Sequence, residues 1–312
     1  MNALRMLLIS LLATSCLAQA PAIPPRMAPG FQTIRERDLR ADLTFLASDA
    51  LEGRMSLQNG DRAAIEWIAS EFAKDGLQPA FGQSYLQPLP LIEYRGDPAQ
   101  SFVAMTRQDQ ETKWQAPEAT GSYRQDVDVR GELVFAGFGI TAPELGYDDY
   151  AGIDANGKIV VIFDHEPQED DPASIFNGTG NTRYATTRVK AMNAQQHGAL
   201  AVLIASEPNR KHPSNQERAR RIGSEPRKDP IPSQAIADDE LHTPTVFVSD
   251  AVLKELLATA GATPSDLQAA IDRNLKPQSR LLRDTSVTVH LRNQFERQGT
   301  TYNVGGVLEG SD

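Results

Sequence analysis

The sequence has one cysteine in 312 residues, Cys16. It lies within a leader-like first segment, so no disulfide can brace the remainder of the chain and cysteine-nucleophile chemistry has no candidate. No Gly-x-Ser-x-Gly stretch supplies a serine-hydrolase elbow, and the Gly178-Thr179-Gly180 run lacks the Lys-Ser/Thr of a phosphate loop. A basic excess is also missing. Lys and Arg number 31 against 41 Asp and Glu, for a net charge of −10, which excludes a nucleic acid as the main partner because a polyanion demands a basic footprint. Aromatics are scarce at 6%. The five histidines are His165, His197, His212, His242 and His290. None stands at His-x-Asp, His-x-x-x-His or His-Glu-x-x-His spacing.

What is present begins with an export signature. Arg5 precedes the apolar run Met6 to Ala13 and the small-residue stretch Thr14 to Ala20, which reads as a secretory signal with cleavage after Ala18. The run is too short to span a bilayer as a mature helix, so stable membrane insertion is not expected. Lipid attachment at Cys16 is the lesser reading, since Ala13 stands where a lipoprotein signal carries a larger aliphatic. Localisation is therefore expected to be periplasmic or extracellular.

After a Pro-rich stretch the hydrophobic pattern alternates between helical and strand periods. Leu39, Leu43 and Leu46, widened by Phe45, predict a helix ending near Ser48-Asp49. A second is expected to be capped by Asp61, to bury Ile65, Ile68, Ala69 and Phe72, and to stop at Gly76. The apolar run Ile159 to Phe163, a helix over Thr187–Gln196 closed by His197-Gly198, and the run Ala199 to Ile204 predict a strand-helix-strand unit. Residues 206–239 lack hydrophobic periodicity and read as a mobile surface loop. Order resumes with Thr245 to Val248, a helix capped by Ser249 or Asp250, and a second helix-start signature at Thr263-Pro264-Ser265-Asp266. A strand over Ser286 to Leu291 and another over Tyr302 to Leu308 close the sequence. With no later neighbours to cover them, they are expected to be held loosely.

Three segments carry a resemblance to a known family. LTFLASDALEGRMSLQNGDRAAIEWIASEFAKDGLQPA, from Leu43 to Ala80, resembles the amino-terminal helices of secreted M28-family zinc aminopeptidases. The stretch from Ala136 to Pro208, with GFGITAPELGYDDYAGIDANGKIVVI and KAMNAQQHGALAVLI, resembles the protease-associated (PA) domain inserted in many of them. TYNVGGVLEGSD, from Thr301 to Asp312, is similar to the strand before that family's first metal-ligand motif. The resemblance implies an α/β fold in which a PA-type module interrupts an incomplete phosphorylase/hydrolase-like zinc-peptidase domain. The implied boundaries are a signal peptide over 1–18, a linker over 19–35, the first part of the peptidase domain over 36–125, the PA domain over 126–283 and the first peptidase strands over 284–312. It also implies two zinc ions held by His, Asp and Glu and a further Glu as general base. Those residues follow the final strand in the family, so none is carried onto this chain, and no catalytic, cofactor-binding or metal residue is assigned.

The remaining polar groups have structural readings. Asp164, Glu166, Glu169, Asp170 and Asp171 follow a strand end and are expected to form a solvated loop, with calcium binding as the competing reading. Asp148 and Asp149, beside Tyr147 and Tyr150, are expected to fix a turn, and Asn177-Gly178-Thr179 to form a plain one. His197 is expected as a charge at a helix's negative pole, and His290 as a solvated residue. The basic stretch with Arg210, Lys211, Arg218, Arg220, Arg221, Arg227 and Lys228 alternates with acids and reads as exposed. The expected function is the amino-terminal portion of an exported M28-like metallopeptidase acting on peptide or protein substrates, inactive in this span for want of metal ligands. The competing reading is a non-catalytic PA-domain protein that binds peptides or a protein partner.

Overall fold

The structure, a computed structural model, describes residues 24–214, 217 and 231–310. The export signal with Cys16, and Arg218, Arg220, Arg221, Arg227 and Lys228 of the basic stretch, lie outside the described residues. Two compact units are present. One joins the chain up to Gln87 with the chain from Val304 onward, and the other is Pro88–Asn303. Elements are numbered in chain order.

The first unit contains helices α1 (Ala28–Thr33), α2 (Glu36–Leu46) and α3 (Asn59–Lys74), with a 3-10 segment over Asp49–Arg54. The DALEGR segment turns sharply, with Glu52 and Gly53 in left-handed conformations at φ 49° and 79°. It brings the Leu51 backbone against the first turn of α3. A Cβ on Gly60 would sit 1.7 Å from the Leu51 carbonyl oxygen, so this approach requires glycine. Asp61 lies in that first turn rather than at the cap, and its Oδ2 accepts a hydrogen bond from the Leu57 N–H at 3.1 Å. Ala64 and Ile65 are buried, but the α2 stripe is not: Leu39 is 52% and Leu43 67% exposed. Strand β1 (Gln78–Pro79) pairs antiparallel with β15 (Gly306–Val307), with Gln78 opposite Val307. The two ends of this unit are thus joined although more than two hundred residues separate them.

The second unit is built on an eight-stranded sheet. Its strands are β3 (Phe102–Arg107), β4 (Gln110–Trp114), β5 (Ala119–Thr120), β6 (Val127–Phe135), β9 (Ile159–Phe163), β10 (Ala201–Ala205), β12 (Thr245–Val248) and β13 (Arg280–Leu291). Their spatial order is β4-β3-β13-β6-β9-β10-β12-β5. Strands β6, β9, β10 and β12 run parallel, and every residue of β9 and β10 is buried. That two-sided burial explains their uninterrupted apolar sequence. Side chains alternate between faces. Val161, Phe163 and Leu203 pack with Leu253, Leu256 and Ile271, whereas Val160, Ile162, Val202 and Ile204 pack with Ala194. Helices α5 (Asp250–Leu256) and α6 (Pro264–Asn274) therefore serve one face and α4 (Thr187–Gln196) the other. Burial of each large aliphatic side chain contributes about 1.5–3 kcal/mol.

The helix starts follow the sequence closely. The Thr186 hydroxyl caps α4 through Val189 N–H, the Ser249 hydroxyl caps α5 through Val252 N–H, and Thr263 with Asp266 forms a reciprocal capping box on α6. Two expectations are corrected. The strand over 286–291 is not a loose edge: it is the inner part of β13, paired on one side with β3 and on the other with β6, and Val287 and Val289 are fully buried. Its neighbours precede it in sequence. The stretch 206–239 is also not wholly loop, because β11 (Ser233–Ile236) pairs with β2 (Leu86–Gly96) in a three-stranded sheet completed by β14 (Asn293–Val304). The expected boundaries at 125/126 and 283/284 both fall within the unit Pro88–Asn303. Among the described residues no helix is long and apolar enough to cross a membrane.

Candidate functional site

Two polar networks are built into the second unit. The first lies beneath the loop from Gly137 to Ile140, ahead of the short hairpin β7 (Thr141–Ala142) and β8 (Tyr147–Asp148). Asp149 is fully buried. Its Oδ2 accepts the Phe138 and Ile140 N–H groups at 3.0 and 3.1 Å, and its Oδ1 accepts the Tyr147 hydroxyl at 2.7 Å. From α4, Lys190 Nζ donates to the Phe138 carbonyl at 2.5 Å and Asn193 to the Gly139 carbonyl at 3.0 Å. The loop's amides and carbonyls are thus held from opposite sides. Burial pushes the Asp149 carboxyl up to about 7, against the lowering effect of these bonds. Burial also pulls Lys190 down to about 8 although several carboxylates oppose it. Asp148 accepts the Thr141 hydroxyl and the Tyr150 N–H at 3.0 Å each. Both aspartates fix the turn.

The second network stands at the carboxyl ends of β9 and β10, where open parallel sheets place their ligand sites. The register pairs Phe163 with Ala205, so the residues two positions beyond each, His165 and Glu207, are brought side by side. His165 Nδ1 lies 2.7 Å from Glu169 Oε1 and 3.5 Å from Glu207 Oε1. His212 Nε2 lies 3.0 Å from Glu169 Oε2 and 2.5 Å from Glu207 Oε1. The two rings stack at 4.4 Å between centroids. One ligand atom from each of these four residues falls within 4.8 Å of all the others. Glu207 is 3% exposed, and burial pushes its carboxyl up. His212 is shifted upward as well: burial opposes the shift, but the Pro213 carbonyl and the Glu207 and Glu169 carboxylates outweigh it.

The loops carrying these groups are anchored to the helices. Gln168 N–H donates to Asp272 Oδ1 at 3.0 Å, and Asn209 N–H donates to Gln268 Oε1 at 2.7 Å, both on α6. Arg210 links the Glu207 carbonyl at 3.0 Å to Asp250 of α5 at 2.9 Å. His165 itself has φ 52°, a left-handed backbone that is uncommon outside glycine but in which histidine is enriched. A cleft of about 450 Å³ lined by Glu169, Glu207 and Gln268 opens beside the cluster.

The other sequence candidates are dispersed. The acidic run does not form one solvated loop: Asp164 and Glu166 are buried, Glu166 accepts the Thr182 N–H at 2.9 Å, and only Asp170 and Asp171 are exposed. His197 stacks on Tyr150 at 4.1 Å, His290 stacks on Phe102 at 4.6 Å, and His242 Nδ1 meets Arg124 at 2.9 Å. Sequence spacing missed the cluster of His165, Glu169, Glu207 and His212 because its halves lie in loops that follow different strands. The legible signal was a His-x-x-x-Glu and a Glu-x-x-x-x-His, each immediately after a fully apolar strand.

Residues 129–256 match the family model for the PA domain. The fold is thus mixed α/β with a PA domain in its second unit. No curated protein matches the chain. Among solved structures it is similar to an aminopeptidase from Aneurinibacillus sp. strain AM-1, at 18% identity and TM-score 0.35, over 84% of this chain and 45% of that one. It is also similar to BSAP, a zinc aminopeptidase from Bacillus subtilis, at 14% identity and TM-score 0.28, over 83% of this chain and 44% of that one. The chain spans less than half the length of either.

Proposed function

We propose that this chain is the amino-terminal portion of an exported M28-like zinc aminopeptidase, in which a PA-containing body interrupts the peptidase domain. The observation that carries the reading is the pairing of β1 with β15 across the whole of Pro88–Asn303. A domain inserted into another leaves its host as two sequence-distant pieces that must meet. Those pieces coincide with the segments resembling the peptidase family on either side of the PA match. Packing is close where they meet: a Cβ on Gly306 would lie 2.7 Å from the Leu77 side chain and 2.9 Å from that of Phe72, which would have to shift. The exposed Leu39 and Leu43 on α2 offer apolar surface for a larger domain to cover.

In the complete peptidase, two zinc ions would polarise the peptide carbonyl and activate a water. The residues here do not fit that pair. Among the described residues the one group with metal-ligating geometry lies in the PA-containing unit and offers four donors, enough for a single ion. Incubated with zinc and an aminoacyl p-nitroanilide, the 312-residue chain is expected to release no nitroaniline. The gene is expected to encode a His-x-Asp motif beyond the codon for Asp312, and the longer product to hydrolyse the substrate. Hydrolysis by the 312-residue chain overturns the proposal. A stop codon there, with a protease-resistant product, supports the competing binding module.

A further inference from the structure

We propose that His165, Glu169, Glu207 and His212 form a mononuclear binding site for a divalent transition ion of the zinc class, which clasps the loop after β9 to the loop after β10. The proposal does not depend on the peptidase reading.

Composition and geometry both support it. Two imidazoles with two carboxylates form a nitrogen-oxygen donor set suited to zinc and its first-row neighbours, whereas calcium takes oxygen ligands alone. Two carboxylates also neutralise a divalent charge. Donors around tetrahedral zinc, at bonds of about 2.0–2.1 Å, stand about 3.3 Å apart. Nitrogen-oxygen separations here run from 2.5 to 3.5 Å and one donor atom from each residue lies within 4.8 Å of all the others, so the side chains need only readjust around an ion.

The hydrogen bonding around the cluster gives a second, independent argument. His212 Nδ1 lies 3.2 Å from the Pro213 carbonyl. A carbonyl can only accept, so Nδ1 carries a proton and Nε2 is the atom turned toward Glu169 and Glu207, where a bound ion would take the place of the second ring proton that those carboxylates favour. Zinc-bound histidines hold their tautomer by the same device. Glu207, almost wholly buried, has neither carboxylate oxygen in a well-directed hydrogen bond despite the close approach of His212. Its charge is met here by the His212 and His165 imidazoles, and a divalent ion held between them and the carboxylates would satisfy it more fully. The anchoring of both loops to α5 and α6 holds the donors in place before an ion arrives, and the neighbouring cleft gives it a path. Four protein ligands close the coordination shell, which is the pattern of a structural rather than a catalytic zinc site.

The test is calorimetric titration of zinc into the tag-free, chelator-treated 312-residue chain, with cobalt substitution as a spectroscopic check. One equivalent is expected to bind, with a rise in melting temperature and tetrahedral visible bands for cobalt. His165→Gln with His212→Gln is expected to abolish binding. Glu169→Gln, at a partly exposed position that should fold normally, is expected to weaken it by at least the roughly 10-fold that loss of an outer-shell partner costs. Absence of stoichiometric binding by the parent chain overturns the proposal. Unchanged affinity in a folded Glu169→Gln or in the double variant overturns it too, leaving an ion-pair network.

Discussion

Replacing Asp149 by alanine tests how the PA-type loop is held. The carboxylate is wholly buried and accepts three hydrogen bonds, from Phe138 N–H, Ile140 N–H and the Tyr147 hydroxyl. Each donor orphaned in a buried site costs about 1–3 kcal/mol, so the gross loss is roughly 3–9 kcal/mol. Part is offset because the variant no longer buries a carboxyl whose pKa has been pushed up to about 7. Removing one partner from a buried charged network costs about 3–5 kcal/mol, and Asp149→Ala is expected in that range, a large share of the roughly 5–15 kcal/mol that holds a domain together. Asp149→Asn keeps the volume and one acceptor for both N–H groups, and the Tyr147 hydroxyl can turn to accept from the amide. Its expected cost is below about 1.5 kcal/mol. Urea unfolding followed by Trp114 fluorescence, with Trp67 changed to Phe, reads the second unit selectively. Parity between Ala and wild type, or between Ala and Asn, would refute the reasoning.

Three further outcomes follow from the same structure. Because the folded pKa of Asp149 is raised from 3.8 to about 7, the folded chain holds that proton over a range where the unfolded chain has lost it. Its contribution to stability should therefore fall as pH rises between those values, and Asp149→Asn should flatten that part of a stability-pH curve. Gly60→Ala forces a Cβ into the Leu51 carbonyl, and should destabilise the first unit by about 1–3 kcal/mol or more, read at Trp67 on α3 with Trp114 undisturbed. Thr263→Ala removes an exposed capping box and should cost about 1 kcal/mol by urea denaturation, without altering metal binding.

Sequence legibility divided along local and non-local lines. The caps at Ser249 and Thr263 act within three residues of their partners, so short-range rules found both, and the buried strands β9 and β10 declared themselves as apolar runs. The place of β13 was hidden because its partners, β3 and β6, lie far upstream, and alternation says which face is buried without naming the neighbour. The His-Glu cluster was hidden for the same reason. His165 with Glu169 and Glu207 with His212 look unremarkable singly, and only the parallel register that sets Phe163 beside Ala205 joins them.

The account rests on Pro88–Asn303 being a body inserted between two pieces of a separate unit. Residues 88–303 expressed alone provide the direct measurement. The account predicts one cooperative unfolding transition, with the near-ultraviolet dichroism that Trp114 contributes in the longer chain. An unfolded or molten product, with no near-ultraviolet signal and no transition, would contradict it.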